Sequence, residues 1–487
     1  MTIVSKASHG PVTAANNRWA ALSVLFLASF MNLMDVSIVN VALPQIQADT
    51  GATSTQLEWV AAIYVLALAV GLLPCGRFGD VFGRRRMFIW GLIGFTLSSA
   101  VCGFAPDVVS LIVARAVKGI AAAMMVPQVL AIAHVIFLPE EKSRVFGLFG
   151  TVSSLAVVAG PIIGGALISA DIGDLGWRLA FLVNVPFGIA ALVGAQVFVP
   201  ALDADIETQP DWIGTGLFTI AAVLLVLPMI EGRALGWPWW CFAAIAASVP
   251  VALGFLAYER KCGAAGLSAL MPPGLLANAP YLQRLGLVTL FFSGVPGLFL
   301  VLAVFLQSGF GLTALQSGLV TAPFPVGVML ASMTTERFGN RYLSLRIATG
   351  AALLVFGMIG LQLAIKSTGV ELNPYAFISP LLICGFGMGT AIMSLFQVTM
   401  SSVASQDAGA GSGAVQAFQQ IGAALGIAIA GSIFFGLLGE GGMDAGTDIA
   451  PRFVDAAATA TTYSIAVFTI LTLLVGVSAW KARKATT

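Results

Sequence analysis

Residues Gly76–Arg86 read GRFGDVFGRRR, a short polar stretch between two apolar runs of membrane-spanning length. Arg77, Arg84, Arg85 and Arg86 share this tight connection with one carboxylate, Asp80. Such a cluster does not enter hydrocarbon, so the connection is expected on the cytoplasmic side of a bilayer. Gly76 opens the stretch, and Gly79 and Gly83 are expected to supply the backbone freedom that so short a turn requires.

Composition agrees with that reading. Of 487 residues, 58% are hydrophobic and 9% are charged, with a mean hydropathy of +0.96. A soluble domain carries about 25% charged residues, so an all-α integral membrane protein is expected instead. With roughly 20 apolar residues per span, the chain holds about 14 candidate spans joined mostly by short loops. Both termini are expected inside, which leaves roughly 16 Lys/Arg on the cytoplasmic side and about 4 outside. The outside group is Arg178, Arg233, Lys366 and Arg452. The first apolar run is too long for a cleaved signal, and short loops with compact termini suit a bacterial inner membrane. A net charge of +1 provides no basic face for nucleic acid. The five cysteines are scattered without metal-ligand or disulfide spacing and are expected to be packing residues.

The chain also repeats itself. Glu336–Arg341 (ERFGNR) echoes Asp80–Arg85 (DVFGRR), acid for acid and glycine for glycine, each after the second span of a six-span block. This divides the chain into residues 1–199, an inserted pair of spans within 200–262 (about 212–230 and 238–257), and residues 263–487. The Gly76–Arg86 stretch is similar to the signature loop of the major facilitator superfamily, G-x(3)-D-R-x-G-R-R, with Val81 where that family places a basic residue. The resemblance implies two six-helix bundles that rock around a central cavity. It also implies a gating role for Gly76, Asp80, Gly83, Arg84 and Arg85. The inserted pair makes the whole resemble the fourteen-span drug:proton antiporter branch.

Ionisable residues within spans are the candidate functional groups. The stretch Met34–Pro44 (MDVSIVNVALP) looks like that branch's first-span signature, L-D-x-T-I-V-N-V-A-L-P. A carboxylate in hydrocarbon costs several kcal/mol unless paired or hydrated, so Asp35 is either a structural ion-pair member or a proton carrier. Arg115 and Lys118 lie three residues apart, hence on one helical face. Arg115–Gly119 resembles R-x-x-Q-G, with Lys118 replacing glutamine. Asp35 precedes Leu43 by eight residues and Arg115 follows Asp107 by eight, so each is expected ~12 Å below the outer face. An interaction between Asp35 and Arg115 follows, in which the guanidinium favours the charged acid while burial favours the neutral one. Lys118 brings the formal sum of the three to +1. It is expected either to snorkel or to draw an anionic or zwitterionic cargo.

Ala156–Gly165 (AVVAGPIIGG) resembles the antiporter signature G-x(3)-G-P-x(2)-G-G. Gly160, Pro161, Gly164 and Gly165 are therefore expected to act in gating, although plain helix packing also explains them. Trp177–Gly188 looks like W-R-W-x-F-x-x-N-x-P-x-G, and Trp59 with Tyr64 like W-x(4)-Y. In the second half, Phe291, Phe292 and Phe299 either line an apolar cavity or fill a core. Gln416, Gln419 and Gln420 form one polar stripe at i, i+3 and i+4, open to cargo contact or interhelical bonding, and Gln307 is similar. Gly385–Gly389 (GFGMG) sits in an apolar run and reads as a packing surface.

No nucleotide-binding G-x(4)-G-K-[ST] loop and no H-E-x-x-H motif occurs, and there are only two histidines, so no enzyme, cofactor or metal is expected. The resemblance implies proton-coupled efflux of amphipathic, often cationic drugs by a monomer, with Asp35 as proton carrier and Asp35, Lys118, Phe291, Phe292, Gln307 and the Gln416 stripe as cargo contacts. The alternative is export of an endogenous metabolite or anionic compound on Arg115 and Lys118. The polar residues are too sparse for the continuous wet path of a passive channel.

Overall fold

The computed structural model describes residues 15–201, 211–265, 269–271, 273–335, 343–368, 372–403, 408–439 and 449–486, all helix and connecting turns. The first helices are α1 (Ala15–Thr50), α2 (Ser54–Phe82), α3 (Arg84–Gly103), α4 (Val108–Ile136) and α5 (Pro139–Ala170). A short α6 (Leu179–Leu182) leads into α7 (Asn184–Phe198), followed by the pair α8 (Trp212–Ala234) and α9 (Trp239–Ala264). Next come α10 (Pro273–Ala277), α11 (Ala279–Ser293), α12 (Pro296–Val304), α13 (Ala314–Thr321) and α14 (Pro323–Thr335). The chain ends with α15 (Leu343–Lys366), α16 (Ile378–Met400), α17 (Ala408–Leu438) and α18 (Ile449–Thr486).

Hydrocarbon offers the backbone no hydrogen bonds, so apolar segments of this length satisfy their own. Thirteen helical stretches among the described residues are long and apolar enough to cross a membrane. α5, with 32 residues, contributes only the shorter apolar stretch Ala159–Ala170. Polar residues mark the helix starts. Thr53 accepts from the Gln56 amide ahead of α2, and Asp107 accepts from the Ser110 amide ahead of α4.

One sequence-based depth needs correction. α1 runs on through Pro44 to Thr50, so Leu43 is not its outer end and the ~12 Å depth of Asp35 does not hold. A second correction concerns the basic stretch. A single residue, Gly83, joins α2 to α3 with φ 92°, a conformation that favours glycine. Gly79 is needed for packing instead, because a side chain there would strike Gln128. Gly76 has room, its nearest neighbour being the Pro127 Cβ at 3.9 Å from an added Cβ. Arg77, Arg84 and Arg85 donate to the carbonyls of Ala269, Ala131 and Gln196. The side chain of Asp80, the linker 202–210 and the whole of Glu336–Arg341 lie outside the described residues.

Small residues set the helix contacts. Gly160 and Gly164 turn one face of α5 to Ser37 and Ile38 of α1. Gly165 turns another face to α13, where an added Cβ would lie 2.7 Å from the Ala314 carbonyl oxygen, and Gly318 of α13 closes on the Pro161 carbonyl. α5 is thus wedged between the first span and a later one. Gly385 and Gly389 admit α14 against α16, and Gly387 admits α15, as a packing surface requires. α8 packs on α2, α9 and α17. Trp59 of α2 donates to Glu231 of α8 at 2.5 Å, and Ser432 of α17 to the Met229 carbonyl at 2.9 Å. At the other end of the pair, Tyr258 donates to Asp211 (3.1 Å) and Glu259 accepts from the Met271 amide (2.9 Å). All five cysteines are free and buried.

Replacing Gly165 with Val is expected to cost about 1–3 kcal/mol through overpacking against α13. Gly216→Val, where no atom lies within 4 Å of an added Cβ, serves as control. Thermal unfolding in detergent should show a lowered midpoint for the first variant alone.

Candidate functional site

Three helices converge at Asp35. α1 supplies the carboxylate, α4 supplies Arg115 and Lys118, and α7 supplies Asn184 at its first turn. All four side chains are 0% exposed. The Lys118 ammonium donates to Oδ1 of Asp35 in the closest contact of the group. Arg115 Nη1 reaches Oδ2 at 3.5 Å, and Asn184 Nδ2 donates to Oδ1 at 3.2 Å. Arg115 also donates through Nε to the Val60 carbonyl of α2.

Two cations face one anion here, and aromatic faces take up part of the excess. The Arg115 guanidinium lies 5.1 Å from the Tyr64 ring centroid and 5.6 Å from that of Phe181. Lys118 Nζ lies 4.7 Å from the Phe95 centroid and 5.4 Å from the Phe181 centroid. The ring quadrupole attracts cations, most strongly where water is excluded. Tyr64 in turn donates to Asn32 of α1 at 2.6 Å. Two buried atoms keep capacity to spare, the donor Arg115 Nη2 and the acceptor Asn184 Oδ1. Two cations are thus tethered to one carboxylate, with these two polar atoms beside it.

Residues 25–427 match the family model described as Major Facilitator Superfamily. The chain belongs to the major facilitator superfamily. It is a multi-span membrane transporter, not an enzyme. A relative named "Probable actinorhodin transporter", from Streptomyces coelicolor, is 36% identical over 424 residues, 87% of this chain and 73% of its own. Puromycin resistance protein pur8 of Streptomyces alboniger is 30% identical over 98% of this chain and 93% of its own. Multidrug resistance protein Stp of Mycobacterium tuberculosis is 32% identical over 84% and 74%. Among solved structures, the human organic anion transporter MFSD10 aligns over 94% of this chain and 99% of its own, with TM-score 0.64 and 16% identity. A bacterial homologue of the lysosomal transporter Spinster aligns with TM-score 0.65 over 95% and 96%, at 17% identity. These two likenesses concern the superfamily fold.

The residues singled out from the sequence fall into separate places in this superfamily fold. Asp35 and Arg115 meet, although the depth count that paired them does not hold. Lys118 neither snorkels nor stands free, because it caps the same carboxylate and is fully enclosed. Phe291 meets Phe292 and Phe468 edge to face, with centroids 5.3 and 5.5 Å apart, inside a packed core. Phe299 is half-buried against Phe324 (4.8 Å). Gln307 sits in a π-helical turn and donates to the Val41 carbonyl of α1 at 3.0 Å, so it ties an early helix to a late one. Gln416, Gln419 and Gln420 remain half-buried along one stripe of α17. Sequence reasoning passed over Asn184, Tyr64 and Asn32 as site members. Asn184 and Tyr64 lay within recognised motifs, and Asn32 lies one turn before Asp35, so the signals were present but carried no charge.

Breaking a buried ion pair from one side costs about 3–5 kcal/mol, because the remaining charge stays in low dielectric. Asp35→Asn, which leaves Lys118 and Arg115 without their shared anion, should therefore lower the thermal unfolding midpoint clearly. Adding Lys118→Met to Asp35→Asn removes one of the two stranded cations and should recover part of the loss, and equal losses for single and double variants would contradict the pairing.

Proposed function

We propose that this chain is a proton-coupled efflux transporter for antibiotic-like small molecules, of the fourteen-span branch. In this reading α5 is the fourteenth span, residues 1–199 and 263–487 form the two six-helix bundles, and 200–262 is the inserted pair. The protein works as a monomer in the inner membrane with both termini in the cytoplasm, as the Lys/Arg distribution favours. One observation carries the coupling: Asp35 is a fully buried carboxylate whose two oxygens are claimed by Lys118, Arg115 and Asn184.

A proton and the tethered cations compete for the same carboxylate. When Asp35 takes up a proton from outside, its attraction for Lys118 and Arg115 falls, and α1 loosens from α4. Loss of the proton to the cytoplasm restores the pair and resets the cavity. Each state favours one arrangement of the bundles, so a proton gradient biases alternating access. The glycine contacts of α5 with both α1 and α13 support transmission of that change between bundles. The relatives named for puromycin resistance, multidrug resistance and actinorhodin transport support a drug-like amphipathic cargo. In the cationic form of this reading, cargo displaces Lys118 from Asp35.

A second reading is favoured by one specific feature. The cluster keeps a positive excess, and Arg115 Nη2 is a buried donor without a partner among the described residues. An acidic or zwitterionic cargo would bind Arg115 and Lys118 once a proton occupies Asp35. Uptake of cationic and anionic dyes side by side separates the two forms.

Inverted vesicles containing the wild type should concentrate cargo when a proton gradient is imposed. Asp35→Asn should reduce this to roughly the level of vesicles lacking the protein, and undiminished uphill uptake would end the proposal. Arg115→Leu removes a cation that favours the charged carboxylate. The pH profile of transport should therefore change, and an unchanged profile would count against the pairing.

A further inference from the structure

A groove of about 330 Å³ runs between α2, α4 and α8. Ile63, Leu66, Val70, Phe78, Ile120 and Trp212 form most of its wall. Thr215 and Thr219 also face it, but their hydroxyls turn back to helix carbonyls at 2.6 and 2.8 Å, which leaves their methyl groups to line the space. Ile120 and Trp212 are exposed at 51% and 67%, so the groove opens on the outer surface of the helices, where a spanning protein meets hydrocarbon. Space of this size and character suits an alkyl chain rather than a folded partner.

The groove leads to a charged end. Phe78 meets Trp212 (5.3 Å) and Phe82 (6.1 Å), and Phe82 meets Trp90 (6.4 Å), forming a half-exposed aromatic row of the kind found at headgroup level. Arg86 is exposed one turn before Trp90 on the same helix face. Arg260 and Lys261 are exposed at the end of α9, which packs along α8 toward the same membrane face. Asp211, the acid beside Trp212, is buried and turned inward, accepting from the Gly214 amide (2.8 Å) and Tyr258 (3.1 Å). Among the described residues, the exposed charge at this end is therefore positive.

We propose that the groove is a site for one anionic phospholipid, with an acyl chain between α2 and α8 and the phosphate beside Arg86, Arg260 and Lys261. Juxtamembrane cations attract anionic headgroups, and the apolar groove retains the chain beneath them. α2 also carries the Val60 carbonyl that holds Arg115 and packs on α17. The bound lipid thus supports a helix that borders the ion cluster. The inference stands apart from the identity of the cargo and from proton coupling.

The test uses full-length protein purified in mild detergent and native mass spectrometry with added phosphatidylglycerol or phosphatidylcholine. Wild type should retain phosphatidylglycerol preferentially. Thr219→Trp, which fills the groove, should lose that adduct, while Leu253→Trp, on an exposed position of α9, should keep it. The triple variant Arg86→Gln/Arg260→Gln/Lys261→Gln should lower the preference for phosphatidylglycerol by about tenfold or more. A wild-type measurement guards against misfolded variants: brominated phosphatidylglycerol, as a minor component of phosphatidylcholine vesicles, should quench the Trp212 contribution more than brominated phosphatidylcholine at the same fraction. Equal adducts in wild type and Thr219→Trp, or equal quenching by the two lipids, would overturn the proposal.

Discussion

Asp35 can hold a negative charge inside the helix assembly because Lys118 and Arg115 place theirs against it. Each ion alone would face a desolvation penalty of several kcal/mol, and only their close approach with additional hydrogen bonds offsets it. Asn184 supplies one such bond, and the Val60 carbonyl takes another from Arg115. The aromatic faces of Phe95, Phe181 and Tyr64 complete the enclosure. α1, α2, α4 and α7 are therefore bound together by charge as well as by packing.

Helices this close need residues without bulk. Gly119, next to Lys118, lets α4 approach α2 until an added Cβ would lie 2.8 Å from the Ala67 methyl. Gly160 and Gly164 do the same for α5 on α1. A packed interface of this kind changes between discrete arrangements rather than deforming smoothly. In the proposed scheme, a change at one carboxylate would thereby move whole helices, as gradient-driven transport by a site with no covalent chemistry would need.

The helix pair α8–α9 is more than an appendage in this arrangement. α8 lies across the meeting of α2 and α17, tied to α2 by Trp59 and Glu231 and to α17 by Ser432. Its other flank leaves the apolar groove against α2 and α4. Both α8 and the groove thus border α2, the helix whose Val60 carbonyl holds Arg115.

Much of this was readable from residue order alone. Apolar length set the spans, because hydrocarbon forces each segment to satisfy its own backbone. Gly83 marked the α2–α3 turn through its backbone freedom, and Asp35, Arg115 and Lys118 stood out because charge in hydrocarbon is rare. What periodicity could not provide was which faces meet across distant helices. Lys118 looked like a surplus cation until α4 was seen to present it to Asp35, and Asn184 became a site residue only where α7 starts beside α1. Phe291 and Phe292 could line a cavity or, the favoured reading from the sequence, fill a core, and Phe468 packed on Phe291 puts them in the core. Helical periodicity assigns residues to one face of one helix, whereas pairing depends on the rotation and depth of two helices at once. Those are fixed by close glycine contacts spread over the whole assembly.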